Sequence, residues 1–422
     1  MSADTNAADP LATAEETNVN GTVTYDFNNI RFESITSYRD QEAFTIITQN
    51  PFILINLGQE SELFAQELRL SGRAIADKLQ WQVGAFYSDE EGEDLDALVP
   101  IQNQLTAAEN ETIAIFGQGT YALTDRLNAT VGLRYTDEER SVTDVNTGAN
   151  NEASFDAVSW LASLDYKLTE DILTYASVSR GFRSGSIDQD DVGTIVEPEF
   201  VLNYEVGFKA DLLDNRLRFN TSAFYSDYTD IQITAFDPES TPDAPTTILQ
   251  NAAEATLFGL ESEIAFDPTD NLSLNATLGY LDAEFDEFDR VIAGEVVDAS
   301  DDPIGGPELQ ASVSARYEFN LTGGNVIGVQ GNYSWVDEDP LGGAEVVEAF
   351  GEELSEVDSY GLVNGQIDFN TDAYGGVNIA LFGTNLFDKE HFTGGLAIAS
   401  FGVSNRFIGA PRQYGVRVKK TF

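Results

Sequence analysis

Along most of the chain, hydrophobic and polar residues alternate with a period of two. Between Arg126 and Tyr135, Leu127, Ala129, Val131, Leu133 and Tyr135 fall on one face, and Asn128, Thr130, Gly132 and Arg134 on the other. Leu272, Leu274, Ala276, Leu278 and Tyr280 alternate in the same way with Ser273, Asn275, Thr277 and Gly279. So do Leu309, Ala311, Val313, Ala315 and Tyr317 with Gln310, Ser312, Ser314 and Arg316. Successive side chains of a strand point to opposite faces, so this pattern predicts strands with one apolar and one polar side. Each apolar series ends on a tyrosine, which is where an aromatic ring settles at a membrane–water boundary. On this criterion about seventeen strands are expected, starting near residues 19, 30, 61, 77, 111, 126, 153, 171, 198, 216, 247, 271, 308, 325, 357, 375 and 411.

The connections sort by length. Tight polar turns at Asn28-Asn29, Thr124-Asp125, 169–171, 213–215, 267–270 and 322–324 alternate with long connections near 40–60, 88–110, 138–152, 183–197, 233–246, 286–307, 338–356 and 388–410. A soluble sandwich or propeller has no reason to place short links on one rim and long ones on the other. Outer-membrane barrels do, with short periplasmic turns and long extracellular loops. The fold expected is therefore all-β: an antiparallel transmembrane β-barrel over residues 19–422, with residues 1–18 as an extracellular loop remnant or disordered start. Bacterial single-chain barrels have even strand numbers, so an odd count starting outside implies further amino-terminal strands.

Composition narrows the function. A formal charge of −50, from 22 basic and 72 acidic residues, excludes nucleic acid as a partner, because phosphate binding needs a basic surface. Disorder is excluded by 42% hydrophobic and 11% aromatic content. With no cysteine there are no disulfides, thiolate nucleophiles or Cys-ligated zinc, and the single histidine, His391, argues against His-based triads. No apolar run reaches the length of a transmembrane helix. The start, Met1 to Pro10, has neither the basic nor the apolar region of a signal peptide, so such a leader is expected to have been processed away or the chain to be incomplete.

The last strand places Tyr414, Val416, Val418 and Phe422 on one face and Gly415, Arg417, Lys419 and Thr421 on the other, with Lys420 the single break in the apolar face. It resembles the carboxy-terminal assembly signal of bacterial outer-membrane proteins. Further segments resemble the TonB-dependent outer-membrane receptors: Phe64-Ala-Gln-Glu-Leu-Arg-Leu70, residues 173–185 ending in Arg180-Gly-Phe-Arg-Ser-Gly185, Asn203-Tyr-Glu-Val-Gly-Phe-Lys209 with 218–225, Asn385-Leu-Phe-Asp-Lys389, and 411–418. They occur in family order over most of the chain. The family's barrels have 22 strands and a plug, so the resemblance implies the last seventeen or so strands, with roughly five strands, the plug and the TonB-coupling segment outside these residues. It further implies an outer-membrane protein of a Gram-negative bacterium, inserted into outer-membrane lipid by the barrel assembly machinery. Its expected function is uptake of a small-molecule ligand, a ferric siderophore or similar metal chelate, energised by TonB through the plug. No cofactor and no enzymatic activity are expected. A passive porin-like channel and a non-transporting fragment are the alternatives.

No ligand-binding residue is singled out, but several groups carry chemistry. Loop carboxylates Asp89, Glu90, Glu91, Glu93, Asp94 and Asp96, then Asp188, Asp190 and Asp191, then Glu345, Glu348, Glu352, Glu353, Glu356 and Asp358 suit a hard cation. None keeps EF-hand spacing, and a solvated acidic rim is the preferred reading. Asp282, Glu284, Asp286 and Asp289, interleaved with Phe285 and Phe288, read as a strand continuing above the bilayer. His391 reads as an exposed loop histidine. Inward-facing Arg134, Arg218, Arg316 and Arg417 would either guide an anionic solute or pair with carboxylates, and pairing is preferred. The Arg180–Gly185 strand exit is similar, and its glycines read as strand-end and turn residues.

Overall fold

The computed structural model of the chain describes residues 11–420 except 51–52, 100–101, 190–191, 237–246, 293–294, 372–375 and 399–402. An eighteen-stranded antiparallel sheet dominates it. Seventeen strands form its wall. In chain order, β1 to β6 are Leu11–Phe27, Ile30–Asn50, Ile53–Ala74, Leu79–Val99, Gln102–Ala122 and Leu127–Asp144. β7 to β12 are Asn150–Lys167, Ile172–Arg183, Glu199–Leu212, Leu217–Phe236, Thr247–Thr269 and Leu272–Ile292. β13 to β17 are Leu309–Asn320, Val326–Val336, Tyr360–Thr371, Val377–Thr384 and Gln413–Lys420. The eighteenth strand, Glu295–Asp298, folds back on the end of β12. Each wall strand pairs antiparallel with its neighbours in sequence, from β1–β2 through β16–β17. Among the described residues, β1 and β17 each have one hydrogen-bonded neighbour. Both run from the long-loop rim to the short-turn rim.

The alternation read from the sequence is realised as two faces. Val131, Leu133, Val206, Val313, Leu381 and Val416 stand exposed on the outer one. So large a contiguous exposed apolar surface requires an apolar solvent, and here it is lipid. The polar residues face inward and bond across strands, as Thr120 and Thr130 do at 2.9 Å. No described helix is long and apolar enough to cross a membrane; the crossing is made by strands. The apolar clusters lie where the long loops fold onto the wall: Val142 with Ile187 and Val192, and Phe288 with Ala253 and Ala299.

Most strand starts fall within two residues of expectation, and the differences concentrate on the long-loop rim. The connections expected near 40–60 and 88–110 are continuations of the ladder, with β2 pairing β3 up to Asn50 opposite Ile53, and β4 pairing β5 up to Leu98 opposite Gln102. β1 likewise begins at Leu11, opposite Ile46, so residues 11–18 belong to the wall. Once a hairpin is held in register in the membrane, extending it adds backbone hydrogen bonds at little further entropic cost. Acidic residues therefore ride on strands that their composition alone would have assigned to loops. The three short two-stranded pairings 186–187 with 195–196, 339–340 with 356–357, and 392–398 with 403–408 all decorate this rim, together with helices Ala344–Phe350 and Glu352–Ser355.

Candidate functional site

On the inner face, β13 to β17 carry a connected polar network. Arg316 on β13 reaches across β14 to Asp368 on β15, its two terminal nitrogens donating to the two carboxylate oxygens at 2.7 and 3.1 Å. The residue it crosses is Gly328, opposite Asp368 in the ladder, where any Cβ would lie 2.2 Å from the guanidinium. Asp368 is 2% exposed and also accepts from Gln366 at 3.0 Å and Asn370 at 2.6 Å. Arg417 on β17 donates to Gln366 at 2.7 Å, and Asn378 on β16 to Asn370 at 2.6 Å. Side chains from four strands thus join β13 to β17, spanning β14 at Gly328. Such a bidentate, fully bonded pair is the geometry in which buried charges are tolerated.

The other inward arginines are committed as well. Arg218 pairs with Asp211 at 2.7 Å, and Arg134 donates to Thr136 at 3.0 Å while lying over the rings of Phe86 and Phe116. Arg316 and Arg218 thus pair with carboxylates, while Arg134 and Arg417 hydrogen-bond neutral side chains. Arg180 differs. Trp160 and Leu202 are its ladder partners, on the face of exposed Val158 and Tyr204, so its side chain points outward. The run Arg180-Gly-Phe-Arg hid this because both of its faces carry an arginine.

Between β8 and β14 the wall holds a recess of about 900 Å³ of mixed lining, with Tyr175, Lys209, Glu261 and Gln310 beside Phe224 and Trp335. The Tyr175 hydroxyl donates to Glu205 and the Lys209 ammonium lies 5.4 Å from the Tyr175 ring centre. Sequence reasoning passed over these residues, as it did over Asp368. The inward series Gln366, Asp368, Asn370 was the available signal, three polar residues at period two between apolar neighbours.

The acidic rim is spread out, not gathered. In the run Asp89 to Asp94, period two sends alternate carboxylates to opposite faces. Inner-facing Glu90 pairs with Arg39 at 3.0 Å, as inner-facing Glu138 does with Arg140 at 3.1 Å. The outer carboxylates stand opposite one another: Asp40 with Glu62, Glu62 with Glu91, Asp89 with Glu111, Asp137 with Asp156. Like charges in register destabilise a ladder unless water screens them. Tyrosines of the girdle reach up to this row, Tyr87 donating to Glu111 at 3.3 Å and Tyr135 to Asp137 at 3.4 Å. Among the described residues no three His, Cys, Asp or Glu converge on a point that could hold a metal ion. Asp190 and Asp191 lie outside the described residues, as do the side chains of Asp96 and Glu345. Asp188 is buried and accepts the Leu249 backbone N–H.

Near the helices, Glu356 is crowded. Partial burial, then Glu338, Asp358 and Glu352, push its carboxyl above the usual range. A raised folded-state pKa favours the protonated form, so the contribution of Glu356 to stability is full below the ordinary glutamate pKa and is lost as pH rises through the raised value. Hydrogen exchange in the 339–340/356–357 pairing should accordingly quicken as pH rises through that window. Glu356→Gln should remove this pH dependence.

His391 is buried, against the expectation of an exposed loop histidine. It packs on Tyr360, ring centres 4.7 Å apart, and its Nδ1 lies 3.1 Å from the Lys389 carbonyl oxygen. Asp286 lies above the girdle and accepts from Thr256 at 2.7 Å, while Phe285 and Phe288 pack 4.7 Å apart. At the carboxy end, Tyr414, Val416 and Val418 are exposed on the outer face of β17, and Phe422 lies outside the described residues.

The family described as "TonB dependent receptor-like, beta-barrel" matches residues 3–386. Curated relatives include the metal-pseudopaline receptor of Pseudomonas aeruginosa, 26% identical over half of this chain and 29% of its own length. The ferric-pyoverdine M114 receptor of a Pseudomonas species is 25% identical over 62% of this chain and 29% of its own length. The matched stretches thus span under a third of these relatives. In fold it is similar to the ferric yersiniabactin uptake receptor of Yersinia pestis, with a TM-score of 0.76 and 18% identity, covering 96% of this chain and 61% of that one. The siderophore receptor PiuA of Acinetobacter baumannii gives 0.78 and 18%, covering 97% and 64%. Matched over residues 3–386 and built as an antiparallel wall with an apolar exterior and a bonded polar interior, the chain belongs to the TonB-dependent receptors, as the β-barrel part of that family of Gram-negative outer-membrane proteins.

Proposed function

We propose that this chain is the wall of an outer-membrane receptor that takes up a scarce nutrient, a ferric siderophore or similar metal chelate, with energy supplied through TonB. The observation that carries this is the family match over residues 3–386, joined to curated relatives whose names specify metal-pseudopaline and ferric-pyoverdine. The lipid-facing band makes outer-membrane lipid the surrounding phase. Tyr414, Val416, Val418 and Phe422 form the signal read by the barrel assembly machinery. The protein transports and does not catalyse.

The test is to delete the coding segment from the cell that makes it and follow radiolabelled iron supplied as a siderophore chelate. Uptake should fall, and the lost component should be the one that also disappears when TonB is removed. Unchanged iron uptake, or a steady conductance of the chain in planar bilayers needing no energy source, would contradict this reading and favour a passive channel.

A further inference from the structure

Just above the girdle the outer face carries carboxylates on several strands and a cation at one place. β2 carries Asp40 there, β3 Glu62, β4 Asp89, β6 Asp137 and β10 Asp227. On β8 the outward residue near this row is Arg180. On one flank it stands opposite Leu202, whose other partner is Asp227; on the other it stands opposite Trp160, whose other partner is Leu133, two same-face positions below Asp137, so Arg180 lies at the lower edge of the carboxylate row, beside the tyrosine girdle. Among the described side chains of the wall strands, the register turns every other cation inward except Lys420, at the opposite rim.

The surroundings of Arg180 are those of a half-satisfied anion site. One guanidinium nitrogen donates to the Val158 carbonyl at 3.0 Å, and the group lies 3.8 Å from the ring centre of Phe200. Phe182 is opposite Phe200 in the ladder, and Trp160 is opposite Arg180. A guanidinium has five N–H donors, and its planar fork fits a phosphate. No ion pair joins Arg180 to a described carboxylate, and the side chain lies on the outer face beside the tyrosine girdle with aromatic rings around it.

We propose that Arg180, with Phe182, Phe200 and Trp160 as its apolar floor, docks the phosphate of an anionic lipid headgroup in the outer leaflet. Elsewhere along this height the carboxylates repel such a headgroup; at β8 and β9 the row is interrupted by Arg180, Phe182, Phe200 and Leu202. The inference rests on the membrane-barrel reading and adds a lipid-class preference to it.

Trp160 reports on the site directly. In a chain carrying Trp81→Phe and Trp335→Phe, Trp160 is the remaining tryptophan. Reconstituted into vesicles, it should be quenched by phosphatidylglycerol with brominated acyl chains at an about five-fold lower mole fraction than by brominated phosphatidylcholine, the preference one basic residue confers at an anionic surface. Arg180→Gln should reduce the ratio to about one, Arg180→Lys should keep most of it, and Arg134→Gln, which removes an inward cation, should leave it unchanged. In the chain retaining Arg180, the preference should also vanish near 1 M salt, where the screening length falls to about 3 Å, so the test does not depend on the variant folding. A preference that survives Arg180→Gln, or that resists salt, overturns the proposal. Abolition by millimolar inorganic phosphate overturns it too, reassigning the site to free phosphate. Absence of quenching by either lipid contradicts the membrane reading on which the proposal stands.

Discussion

Gly328→Leu should unhook Arg316 from Asp368 and lower the unfolding free energy of the wall by about 2–3 kcal/mol, measured by urea unfolding in lipid vesicles. The guanidinium passes directly over Gly328, and a Cβ there would meet its terminal nitrogen at 2.2 Å and its central carbon at 2.6 Å. The arginine is the softer partner and must move. Asp368 would then keep its charge on the inner wall with only the amides of Gln366 and Asn370 as donors. Loss of one partner of a buried pair costs about 3–5 kcal/mol, and the partial exposure of Arg316, 26% by side chain, brings the expected figure down. Gly331→Ala on the same strand is the control: its nearest neighbour would be 3.9 Å away, and the change should stay within about 0.5 kcal/mol. If Gly328→Leu is equally mild, the network does not hold these strands together.

Val313→Lys should be as costly for a different reason. Val313 is 50% exposed at the centre of the outer series Leu309 to Tyr317, so the lysine would face lipid at the level where a cation costs about 2–4 kcal/mol. The next residue back gives the contrast. Ser312 faces the recess of about 900 Å³ that Glu261 and Glu263 also line, so Ser312→Lys meets water and carboxylates and should cost well under about 1 kcal/mol. A one-residue shift in position should therefore separate tolerated from destabilised, because the side-chain period of a strand is two. Equal penalties at the two positions would mean that the outer face is not in lipid.

The wall was legible because its two solvents write opposite demands on adjacent residues. Wherever one face is wholly apolar, as in 127–135 or 309–317, the sequence shows the strand, its limits and its lipid side. Above the girdle both faces meet water, and that signal fails. This is why the ladders over 40–60 and 88–110 read as loops although Phe44, Ile46 and Leu57 lie within them. It is also why the outward turn of Arg180 was missed. Contacts that depend on register across strands were not legible at all. The bridge from Arg316 to Asp368 joins residues 52 apart in sequence, over a glycine on a third strand. Burial of His391 likewise depends on Tyr360 at the start of another strand. That Arg218 and Arg316 take carboxylate partners was foreseen in kind, since opposite charges on nearby strands of a polar wall attract, while the identity of each partner came only from the fold.

The measurement that bears most directly on this account is a nitroxide scan of residues 309–317 in lipid vesicles, one introduced cysteine at a time, which a chain without native cysteine permits. Collision with oxygen, which dissolves in lipid, should peak at Leu309, Ala311, Val313, Ala315 and Tyr317. Collision with a water-soluble nickel chelate should peak at Gln310, Ser312, Ser314 and Arg316. Two profiles of period two in opposite phase are the result expected of a strand with lipid outside and a wet lumen inside. Profiles in the same phase, or with no period, would contradict the transmembrane wall.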